Sequence, residues 1–163
     1  LSYQLVSPGP FPLEDERFDV VFSKDALIHI EDKHALFRDV FRVLRPGGVF
    51  VASDWMRVDE NTPGPEMRTW IEAVGLSFGM HSPPFYEDAL DAAGFEKVGT
   101  RDRNEFLVTS LEQDISKFTD SYDELVRRTG DEADHYVFIW KTALVAARVG
   151  ELRPTHMKAW KPA

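Results

Sequence analysis

Asp25 and His29 stand four residues apart, just past a short apolar run, and are the pair in this chain best suited to chemistry. A histidine ring exchanges a proton near neutral pH, so it can take one from a substrate. A neighbouring carboxylate can orient that ring or attract a cation. Asp54 and Trp55 end a second apolar run in the same way. An indole face can pack against a cation, worth roughly 0.5–2 kcal/mol. The residue types alone also fit a polar pair at a strand-to-helix turn and a tryptophan in the core or a lid. His34, His81, His135 and His156 share no metal-ligand spacing, and cysteine is absent, so no metal site and no disulfide is expected.

The elements that must carry these residues follow from apolar period and breakers. Phe18–Ser23 reads as a buried parallel strand, preceded by a Pro/Gly-rich loop over Leu1–Arg17. Asp32 caps a helix over Lys33–Leu44, whose stripe is Leu36, Val40, Val43 and Leu44. Arg45-Pro46-Gly47-Gly48 stops it, because proline cannot continue a helix and glycine allows the positive φ of a tight turn. Val49–Ser53 is then a second strand, which makes a βαβ unit with parallel strands. Ligands of open α/β sheets bind at the carboxyl ends of such strands, where Asp25, His29, Asp54 and Trp55 fall. Further helices are expected over Glu66–Phe78, Phe85–Ala93, Ser110–Arg128 and Ala133–Val149. Strands are expected over Phe95–Arg101 and Thr155–Lys161.

The 163 residues fit one domain spanning 1–163 with one core. A formal net charge of −9 argues against nucleic-acid and anionic-membrane partners, which need clustered Lys and Arg. No apolar run has membrane-spanning length, and the composition suits the cytoplasm.

The composite of Phe18–Ile30 ("FDVVFSKDALIHI") with Leu44–Asp54 ("LRPGGVFVASD") resembles the second half of class I S-adenosylmethionine-dependent methyltransferases. Within that family, "SKDALIHIEDK" is most similar to the phosphoethanolamine N-methyltransferase subgroup, and the resemblance runs from Leu13 onward. It implies a partial Rossmann-like α/β fold with family strands 4, 5, 7 and 6 and without the first three. It implies a methyl transfer from S-adenosylmethionine to a small molecule such as an amine. Asp25 and His29 would then be catalytic, the histidine taking the amine proton. Ser23, Lys24 and Ile28 would face the cofactor, and Asp54, Trp55 and Phe78 the substrate.

The departures are equally specific. The chain has no Gly-x-Gly after a strand and no acid at Val6-Ser7-Pro8, where relatives contact the adenine. Cofactor binding by this chain alone is therefore doubtful. The phosphate-holding Arg and Tyr of the subgroup correspond approximately to Leu76 and Phe78. Leucine cannot supply a bidentate guanidinium, which disfavours a phosphorylated substrate. Without the first three strands, the edge of the first strand is open. The expected partners are thus the small-molecule substrate and either a second copy, as a homodimer, or the missing N-terminal half. The alternative is an inactive fragment of the fold that self-associates or binds a partner.

Overall fold

A computed structural model of the chain describes residues 3–6, 9–76 and 78–163. Ser7 and Pro8, two of the positions where an adenine-contacting acid was sought, lie outside the described residues. The strands are β1 (Phe18–Lys24), β2 (Leu44–Arg57), β3 (Glu96–Asp102) and β4 (Leu152–Trp160). The helices are α1 (Lys33–Val43), α2 (Pro65–Val74), α3 (Pro83–Ala92), α4 (Asn104–Asp120), α5 (Tyr122–Thr129) and α6 (Ala133–Arg148). A 3-10 turn over Leu27–His29 links β1 to α1.

The sheet order is β1-β2-β4-β3, with β1 parallel to β2 and β4 antiparallel to both of its neighbours. This is the expected 4-5-7-6 order of a partial Rossmann-like fold. It also ends β1, β2 and β3 at one edge. Asp32 does cap α1, its side chain accepting the Ala35 N–H at 2.8 Å. Gly47 has φ +76° and donates its N–H to the carbonyls of Lys161 and Pro162, tying the turn to the chain end.

Two clusters divide the interior. One packs α1 and α3 on one sheet face through Phe37, Val40, Phe50, Tyr86, Leu90 and Met157. The other gathers Ile28, Met67, Trp70, Leu111, Ala146 and Leu152, so α2, α4 and α6 cap the carboxyl edge where the candidate residues lie.

Several elements differ from the sequence reading. β1 is parallel as expected but not buried on both sides: Val20 is 53% and Phe22 69% exposed. As an edge strand with its second face uncovered, it lacks the flanking layer that buries such runs. The expected helix over Glu66–Phe78 stops at Gly75, whose φ of +69° forms a left-handed cap. The expected Ser110–Arg128 helix starts earlier and breaks at Ser121. Asn104 draws the start back, its side-chain amide donating to the carbonyls of Ala147 and Leu152 at 2.9 and 2.8 Å. Beyond the break α5 has no buried residue, so Tyr122, Leu125 and Val126 do not extend the core stripe. β4 begins at Leu152 despite Pro154, whose carbonyl still accepts the Arg103 N–H at 2.8 Å.

A Cβ at Gly48 would meet the Arg45 carbonyl at 2.8 Å and the Asp19 carbonyl at 3.2 Å. Backbone cannot yield as a side chain can, so Gly48→Ala should lower unfolding free energy by about 1–3 kcal/mol. Chemical denaturation checks this, and an unchanged midpoint would contradict the tight β1–β2 approach.

Candidate active site

Asp25 leaves β1 with φ +52°, a left-handed conformation that aspartate tolerates better than most residues. Its N–H donates to the Ser53 carbonyl of β2 at 2.8 Å, which pins the turn to the neighbouring strand. Its carboxylate lies 3.3 Å from the Lys24 ammonium. Both groups face water, so this pair contributes little. His29 ends the 3-10 turn, and its ring centroid is 5.8 Å from that of Phe78.

An aromatic wall continues from there. Phe78 stacks on Trp70 at 5.6 Å, and Trp70 lies 5.8 Å from Trp55. With Asp25, Ile28, Leu76 and Trp140 these side chains enclose a pocket of about 200 Å³. Among the described residues, no Arg or Lys lines it. The site therefore offers one carboxylate, one imidazole and several ring faces, an arrangement that favours a small cation or its neutral amine. His29 also borders a second, larger cavity of about 770 Å³, walled by Phe11, Ile30, Leu36 and Gly79.

The sequence-predicted residues separate into groups. Asp25, Ile28, His29, Trp55 and Phe78 meet at the pocket. Ser23 stays within β1 opposite Ala52, and Lys24 points to solvent beside Asp25; neither lines it. Asp54 is fully buried beneath the turn rather than exposed at the edge. Trp70 and Trp140 complete the pocket and were not singled out by the sequence. Both lie within expected helices, and only the packing of α2 against α6 brings the two indoles to the pocket that His29 lines.

Burial raises the Asp54 carboxyl to about 6, against backbone hydrogen bonds from Trp55 and Ile28 and the charge of Lys33. The ordinary value in an unfolded chain is about 3.9. A carboxyl raised on folding contributes stability that is full below the unfolded value and lost as pH rises through the folded one. Urea unfolding should thus show stability falling by about 1–3 kcal/mol between pH 4 and 6, a fall absent from Asp54→Asn. Identical pH profiles for the two proteins would contradict this account of Asp54.

A methyltransferase domain model matches residues 2–52. The chain is 33% identical over 140 residues to phosphoethanolamine N-methyltransferase 1 of Zea mays, covering 85% of this chain and 27% of that protein. It is 34% identical over 91 residues to a sarcosine/dimethylglycine N-methyltransferase of Halorhodospira halochloris, covering 56% of this chain and 32% of that one. The structure of Haemonchus contortus phosphoethanolamine N-methyltransferase 2 in complex with S-adenosyl-L-methionine superposes with a TM-score of 0.82 at 20% identity, over 93% of this chain and 35% of that one. The chain thus spans about a quarter to a third of the length of these curated relatives. With the strand order and the turn residues already described, these likenesses make the chain a member of the class I S-adenosylmethionine-dependent methyltransferases.

Proposed function

We propose that this chain is the C-terminal, substrate-side part of a methyltransferase domain that N-methylates a small amine. The observation that carries this reading is the meeting of Asp25 and His29 with the Trp55–Trp70–Phe78 wall at the carboxyl edge of β1 and β2. S-adenosylmethionine supplies an electrophilic methyl group on a sulfonium. An amine attacks such a carbon only through a free lone pair, so its proton must leave first. His29 is the acceptor within the pocket wall, and Asp25 holds the ammonium form close by before that transfer. The rings steady the positive charge that remains as methyl groups accumulate.

Among the described residues no Arg or Lys lines the pocket, which argues against a phosphorylated amine. The named relatives act on phosphoethanolamine and on sarcosine or dimethylglycine. A small amine without a phosphate is the substrate class this wall fits.

The chain holds only part of a donor site. It contains no Gly-x-Gly loop, so the nucleoside must be gripped chiefly by residues beyond it. The larger cavity beside His29 supplies one wall, through Phe11 and Ile30. Ser23, Lys24 and Ile28 belong to the donor side of the turn in this reading. No described helix is long and apolar enough to cross a membrane, and we place the reaction in the cytoplasm.

Isotope-labelled S-adenosylmethionine with a panel of small amines, given to this chain together with a supplied N-terminal half of the domain that carries the donor loop, tests this. Label should appear on an unphosphorylated amine, and His29→Ala should slow its appearance by about 10²–10⁴-fold. Transfer to no amine, or transfer undiminished in His29→Ala, would overturn the reading.

A second reading rests on the exposed Val20 and Phe22 of β1. An open apolar strand edge pairs readily with another chain. The chain should therefore sediment as a homodimer, or pair with a supplied N-terminal half of the domain, and Phe22→Lys should weaken either association. A monomer unaffected by that substitution would rule this out.

A further inference from the structure

Two charged side chains lie almost completely buried beneath the candidate site, and the chemistry above uses neither. Lys33, at the start of α1, is 1% exposed, and Asp54, in β2, is fully buried. Burying a charge is costly unless it is hydrogen-bonded, so each needs a partner. The Lys33 ammonium finds its partners in the turn: it donates to the Leu27 carbonyl at 2.8 Å and to the Ile30 carbonyl. One Asp54 carboxylate oxygen accepts the Trp55 N–H at 2.8 Å, and the other has no hydrogen-bond partner among the described residues. The Ile28 carbonyl accepts the N–H of Gly79 at 2.8 Å. That bond carries Phe78 alongside, against the His29 ring. A Cβ at position 79 would approach the Glu31 Cα to 3.2 Å, so the two segments run close together.

We propose that Lys33 is a positioning residue of the methyl-transfer centre, holding the Leu27–Ile30 turn from beneath so that His29 faces the aromatic pocket. The proposal rests on the reading of His29 given above. The turn is short and has little hydrogen bonding of its own. The Ile30 N–H returns to the Leu27 carbonyl at 2.9 Å, and the His29 N–H reaches Ala26 at a longer 3.3 Å. What else fixes the turn comes from α1, β2 and the Gly79 strap. A buried ammonium serves this role better than a neutral group. It can bond two carbonyls at once, and bonds to charged donors are about twice as strong as neutral ones. At 1% exposure, the Lys33 side chain itself has almost no contact with solvent. Methionine in its place would fill the same space, strip the Ile30 carbonyl of this donor and leave the Leu27 carbonyl with the Ile30 N–H alone.

Hydrogen exchange and NMR on the whole chain test this without depending on methyl transfer. In Lys33→Met, the His29 and Ile30 amides should exchange on the order of tenfold or more faster, while Val51 and Ala52 in β2 change far less. The His29 ring protons, displaced by the Phe78 ring, should move toward the shifts of free histidine. Lys33→Arg should restore both signals in part. If Lys33→Met does not fold, Lys33→Gln carries the test, with the same signals moving in the same directions. An unmoved His29 signal, or equal acceleration across the sheet, would overturn the proposal and leave Lys33 merely structural. Because these readouts need no donor or substrate, failure of the methyltransferase reading would appear separately, in the labelling assay.

Discussion

The parallel pairing of β1 with β2 is the constraint on which the candidate site depends. Its register runs from Val20 opposite Val49 to Lys24 opposite Ser53. The Asp25 N–H adds a final bond to the Ser53 carbonyl and carries the pairing one residue past the strand. Because β1 stops at Lys24 while β2 runs on to Arg57, the turn after β1 is brought beside the last residues of β2. Asp25, Ile28 and His29 come from that turn, and Trp55 from within β2. A shift of one residue would turn every side chain to the opposite face. Gly48 permits that register, since its missing Cβ leaves room for the Asp19 carbonyl.

The two sheet faces then take different roles. The α1–α3 face supplies a conventional apolar core, with Phe37, Phe50 and Tyr86 fully buried. The opposite face, carrying Val20 and Phe22, is open. The carboxyl edge is closed by α2, α4 and α6, which bring Trp70 and Trp140 over the turn. The pocket is thus assembled from the strand ends and a helical cap that lies largely between β3 and β4 in sequence. Asp25 and His29 line the pocket, while Lys33 and Asp54 lie beneath it, out of reach of solvent.

Much of this was legible in the sequence because the signals were local. The apolar run of β1, the Asp32 cap, the Pro46–Gly48 stop and the Asp25–His29 spacing each depend on a few neighbouring residues. The strand order followed from resemblance, not from period. What was not legible depended on tertiary placement. Asp54 looked like an edge residue, since a strand end does not reveal whether a turn folds over it. Trp70 and Trp140 are ordinary helix aromatics until α2 meets α6. Lys33 read as the first residue of a helix, where a solvated lysine is the common case. The early start of α4 came from Asn104 bonding to residues more than forty positions away.

The most direct test of the aromatic site is an NMR titration of the chain with tetramethylammonium, against tert-butanol as a neutral molecule of similar size. The indole N–H signals of Trp55, Trp70 and Trp140 and the His29 ring signals should shift with the cation and much less with the alcohol. Equal shifts with both, or shifts confined to other residues, would contradict a pocket built for a small ammonium.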